Sequence, residues 1–174
     1  MRTTKFITLT ALFTALLLAV QLALSGIAGV ELVTVTFLSF CFCAGIFAGI
    51  TVAVSFSLIR CFLFGFYPTV IILYLTYYVL FALFFGFVGV RCKHELTVKS
   101  YITAIIFVVV FTAVFTLLDD VITPIFYGFN ERSTVAYFYA SLPFMLTQCI
   151  CALVSSVVLF APIVRALNQT ALKR

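Results

Sequence analysis

Charge is what this chain has least of. Charged residues make up 9% of its 174 positions, with 10 Lys and Arg against 5 Asp and Glu. An ordinary globular domain carries about a quarter. Hydrophobic residues make up 66%, so a soluble fold is excluded. With no length left for a separate soluble domain, a single integral membrane domain over residues 1–174 is expected. Histidine is nearly missing as well. His94 is the only one and lies in a charged loop, away from the acids in the apolar segments. No Gly-rich phosphate loop, H-E-x-x-H pair or nucleophile elbow occurs. The chain is therefore expected to be no enzyme and to carry no cofactor and no ATP site. Any uphill transport would draw on a partner or an ion gradient.

The six cysteines do not fill that gap. Cys41 and Cys43, and Cys149 and Cys151, have C-x-C spacing. On a helix, residues two apart point in different directions, so neither pair clamps a metal. They read as small core residues, and no metal is expected. Nor does the net charge of +5 point to nucleic acid, because the basic residues sit at the ends of apolar segments. That is a topology signal.

What is abundant is apolar sequence in spans of the roughly 20 residues that cross a bilayer. A first helix is expected from about Lys5 to Ser25, ended by Gly26 and Gly29 and retained rather than cleaved as a signal peptide. From Leu32 to Ile59 there is no charge. A turn at Cys43, Ala44 and Gly45 divides this stretch into a short second helix and a third that runs to about Phe64. Gly65 and Pro68 bracket the next turn, and a fourth helix covers about Thr69 to Val90. A fifth runs from about Lys99 to Asp120 or Ile122, ended by Thr123 and Pro124. A sixth runs from about Thr134 or Val135 to Leu167, with an irregular start near Pro143. The expected fold is thus an all-α membrane protein with six transmembrane helices. Arg2, Lys5, Arg91, Lys93, Lys99, Arg165, Lys173 and Arg174 share one side, and only Arg132 falls in an opposite-side loop. Both termini are therefore expected to be cytoplasmic.

Ala11, Ala15, Ala19 and Ala23 recur every four residues among bulky leucines. On a helix they form one flat stripe, which in lipid lets another helix approach closely. The stripe is read as a docking surface, unless the chain's own helices cover it.

Ionisable groups inside a membrane are functional candidates by default. Glu31, Arg60, Asp119 and Asp120 all come to the outer level in this topology. They could line an outward-facing cavity that binds a solute, with the cation paired among the acids, or merely fix helix ends at the interface. Of the adjacent acids only one can face inward, and the sequence leaves open which. Tyr74, Tyr77 and Tyr78 on helix four, and Tyr139 near the fifth-to-sixth connection, read either as an aromatic belt or as stacking surfaces for a flat, polar-edged organic ligand. Gln148 is either a ligand donor or an interhelical hydrogen bond.

The runs TALFTALLLAVQLAL, VELVT, CFLFGFYP and ASLPFMLTQ, in this order, resemble the substrate-binding S components of energy-coupling factor (ECF) vitamin transporters. The resemblance implies a multi-pass protein of a bacterial plasma membrane that captures a vitamin or related micronutrient. Such a subunit docks on a transmembrane T component driven by two ATPase subunits. It assigns the docking face to Ala11, Ala15 and Ala19, with Ala23 extending it, and the ligand to the outer half. The chain departs from the resemblance at Arg60, where members often carry an acid. A cation there favours an anionic or carbonyl-rich substrate. Cobalamin, a flavin and a pterin-like vitamin are all compatible, with a lean to cobalamin from the resemblance alone. Two other readings are a self-sufficient channel or secondary transporter, and an assembly subunit of a membrane complex that binds no ligand.

Overall fold

The computed structural model describes residues 3–27 and 32–170. They form six helices and, among these residues, no strand: α1 (Thr3–Leu24), α2 (Val33–Ala44), α3 (Ile46–Phe64), α4 (Pro68–Arg91), α5 (Val98–Tyr127) and α6 (Glu131–Thr170). Five are long and apolar enough to cross a membrane. The protein is an all-α membrane protein. Successive helices reverse direction. The start of α1 and the end of α6 therefore share the end of the bundle that carries Lys5, Arg91, Lys93, Lys99 and Arg165, here called the basic end.

The exception in length is α2, with 12 residues. At 1.5 Å per residue it measures about 18 Å, well short of the roughly 30 Å hydrocarbon core. It is the buried axis of the bundle. Every residue from Val33 to Cys43 is buried, and α2 packs on each of the other helices. Backbone-to-backbone packing makes this arrangement compact. A Cβ on Gly89 of α4 would collide with the Phe42 backbone of α2, and one on Gly86 would lie 2.8 Å from the backbone of Ile46. Small residues at helix crossings are how membrane helices gain van der Waals contact without a hydrophobic drive between them. Gly45 turns α2 into α3 with φ +84°, a conformation that favours glycine.

Two boundaries differ from those the sequence predicts. Helix α5 does not stop at Thr123 and Pro124 but continues to Tyr127, where Gly128 caps it in the left-handed region with φ 64°. The Phe129 N–H closes on the Pro124 carbonyl at 2.9 Å. Helix α6 starts at Glu131, because the Asn130 side chain accepts the Ser133 N–H at 2.8 Å and so caps it. It then runs through Pro143 without a break. Proline is tolerated here because α5 and α6 pack closely against each other.

Candidate binding site

The short α2 creates the site. Its last residues are level with the basic end, since Gly45 lies beside Val90 and His94. The missing length, roughly 12 Å by difference, therefore falls entirely at the other end. A cup of about 340 Å³ opens there, with Leu32 and Val33 among its walls. Gln21 and Ser25 close one side, Arg60 and Phe64 a second, Tyr74 a third, and Phe115 and Gln148 the last.

Arg60 sits four residues before α3 ends at Phe64, at the wall of this cup. Its guanidinium carbon lies 4.1 Å from the centroid of the Tyr74 ring and 5.0 Å from that of Phe64. Both are cation–π contacts, which favour the charge without accepting its hydrogen bonds. Arg60 Nε is buried with no hydrogen-bond partner among the described residues. Gln21 Nε2 donates to the Tyr74 hydroxyl at 3.2 Å, while Gln21 Oε1 is buried and unpartnered. Across the cup, the Thr116 hydroxyl donates to Gln148 Oε1 at 3.2 Å.

Asp119 and Asp120 do not join this group. They lie one turn further along α5 and face α6. Asp119 accepts from the Tyr137 hydroxyl at 2.8 Å and the Thr123 hydroxyl at 2.9 Å. Asp120 is 6% exposed and accepts from the Ser141 hydroxyl at 2.6 Å. The expected pairing of Arg60 with these acids is replaced by hydroxyl donors for the acids and aromatic rings for the cation. Both acids face the same neighbour, so neither is singled out as facing the cup. Glu31, the remaining acid candidate, lies outside the described residues.

The tyrosines separate too. Tyr74 lines the cup. Tyr77 and Tyr78 are buried below it, in ring contact with Phe81, Phe115, Phe37 and Phe56. They are core residues, not cup wall and not an interface belt. Tyr139 is 67% exposed on the outer part of α6, away from the cup. Gln148 lines the cup and makes an interhelical hydrogen bond to Thr116 of α5. Sequence reasoning missed Gln21, Phe64 and Phe115. Gln21 carried a signal, as the one amide in an apolar helix; the two phenylalanines carried none. Among the described residues, no three His, Cys, Asp or Glu side chains gather to hold a metal ion.

The alanine stripe is bare. Ala11, Ala15, Ala19 and Ala23 are all exposed, because α1 packs on α2 and α3 through its other face, with Leu9, Thr10, Phe13, Thr14 and Leu17 buried. Beside the stripe, a groove of about 290 Å³ runs between Ala11, Ala15 and Leu18 of α1 and Ser55 and Ile59 of α3. The chain's own helices do not cover this face. Comparison with protein-family models, curated proteins and solved structures finds no match to this chain.

Proposed function

We propose that the protein is the solute-capturing membrane subunit of an ATP-driven importer of the ECF type, an S component for a vitamin or related micronutrient. The observation that carries this reading is the combination of a closed-bottom polar cup with a bare small-residue face. The cup ends on the buried axis of α2 and the aromatic layer of Phe37, Tyr77, Tyr78 and Phe81. Polar residues that line it stop at the level of Tyr74 and Gln148. Such a cup holds a solute but offers it no path onward, which disfavours a self-sufficient channel. A non-binding assembly subunit would leave Arg60 and Gln21 at the cup wall without purpose.

In this reading the basic end lies in the cytoplasm of a bacterial cell and the cup opens outside. The bare stripe of α1 and its groove would receive a helix of the T component, which is coupled to two ATPase subunits. A volume of about 340 Å³ is at the lower end for ligand pockets, about 300–1,000 Å³. It favours a compact micronutrient over a corrinoid, whose macrocycle and nucleotide loop need several times that space. The test is to purify the full chain gently and identify any bound small molecule by native mass spectrometry. A stoichiometric, saturable ligand is expected. A chain that carries none, and binds nothing from a broad panel of water-soluble micronutrients, overturns the reading.

A further inference from the structure

The polar groups at the cup wall are not a random set. Among the described residues that line the cup, Arg60 is the one cation and none is an acid. Its rings at 4.1 and 5.0 Å stabilise the charge but take none of its N–H bonds, and Nε stays unpartnered. A buried donor without an acceptor is costly, and more so on a charged group. The missing partner is an acceptor that meets the planar edge of the guanidinium, since aromatic rings already attend to the charge. A carboxylate matches that edge in a two-pronged fashion.

The neighbouring amides extend the pattern. Gln148 Oε1 is occupied by Thr116, so its amide N–H groups remain to donate, on the same side of the ledger as Arg60. Gln21 has one N–H engaged by Tyr74, and its Oε1, buried and unpartnered, is left to accept. The rest of the wall is Ser25, whose hydroxyl donates to the Leu22 carbonyl at 2.8 Å, and apolar side chains that include Leu24, Ile27, Leu32, Val33 and Phe115.

We infer that the cup selects a compact organic monoanion. Its carboxylate lies edge-on to Arg60, its flat apolar body lies against Phe115 and Tyr74, and one N–H donor reaches Gln21. This inference deepens the capture function proposed above and depends on it. One cation matches one negative charge. A phosphoryl dianion would leave a charge unpaired, since no second Lys or Arg lines the cup among the described residues.

The test compares acids with their own amides on the purified full chain in lipid nanodiscs. The pairs are nicotinate with nicotinamide and 4-aminobenzoate with 4-aminobenzamide, measured by calorimetry, alongside the net charge of any molecule that co-purifies. An anionic co-purifying ligand is expected. So is at least about a tenfold preference for the acid in each pair that binds, the size of one charge-assisted hydrogen bond. Arg60→Gln should abolish that preference, and Arg60→Lys should restore only part of it because a point charge lacks the fork. Thermal melting of both variants checks that they fold. The wild-type acid–amide comparison does not depend on either. A neutral or cationic co-purifying ligand, or equal binding of acid and amide, overturns the inference and leaves the capture function standing. A chain with no ligand at all removes both.

Discussion

Gly89 of α4 lies against the carbonyl group of Phe42 in α2, with no space for even a methyl group between them. This crossing holds the short buried helix against its neighbour at the basic end. Gly89→Ala should therefore force the two backbones apart and lower stability by about 1–3 kcal/mol, the usual cost of overpacking. Thermal unfolding in detergent measures it. Gly26→Ala is the control, since nothing lies within 4 Å of that position. Equal melting of the two variants would mean that the α2–α4 crossing is looser than described.

The exposed stripe of α1 gives a second prediction. Ala15→Trp and Ala19→Trp replace exposed side chains and should change stability by no more than about 0.5 kcal/mol. They should nonetheless stop uptake in cells while ligand binding by the purified chain is unchanged. Lost binding with intact association to an energising partner would remove the stripe from the docking role.

The acids of α5 give a third. The Tyr137 hydroxyl donates to Asp119 Oδ2 at 2.8 Å and ties the outer segments of α5 and α6 together. Asp119→Ala, Tyr137→Phe and the double variant should show a coupling of at least about 0.5 kcal/mol, as contacting residues do. Hydrogen exchange in the connection at residues 128–130 reads the local effect. Additive changes would show that the two side chains do not act together. Because both groups lie beyond the cup, ligand affinity should move little.

These contrasts explain what the sequence could and could not reveal. The turn at Gly45 was legible because glycine marks a positive φ. Arg60, Tyr74 and Gln148 were legible because polar groups stand out in apolar helices. Depth was not legible. Tyr74, Tyr77 and Tyr78 share one face of α4 at spacings of three and four. One turn, about 5.4 Å, carries the latter two below the cup into contact with Phe37 and Phe56. The same shift in the other direction carries Asp119 past the rim, while Phe115, one turn earlier, lines the wall. The floor level is set by where α2 begins, and a run without charge from Leu32 to Ile59 does not mark that point. The extra turns of α5 were hidden for another reason. Proline usually ends a helix, but packing between α5 and α6 outweighs that local preference at both Pro124 and Pro143.

The last prediction concerns His94, which the sequence left as a loop residue. Its Nδ1 lies 2.7 Å from the Phe42 carbonyl oxygen. A carbonyl only accepts, so Nδ1 carries the proton and donates. Phe42 is within the last turn of α2, where carbonyls have no partner inside the helix. The His94 backbone N–H bonds to the Gly89 carbonyl at 2.8 Å, and its own carbonyl accepts from Asn168 Nδ2 at 3.1 Å. One residue thus fastens the ends of α2, α4 and α6. His94→Ala should cost about 1–2 kcal/mol, the range for leaving a buried acceptor unpaired. Its exposed neighbour Lys93 has a positive φ of 53°, as His94 does at 61°, but its side chain makes no such bond among the described residues. Lys93→Gly relieves that backbone conformation and should leave stability unchanged or slightly raised. Melting curves of both variants decide the matter. If His94→Ala melts with the wild type, the histidine is a passenger in its loop and α2 is held by the glycine crossing alone.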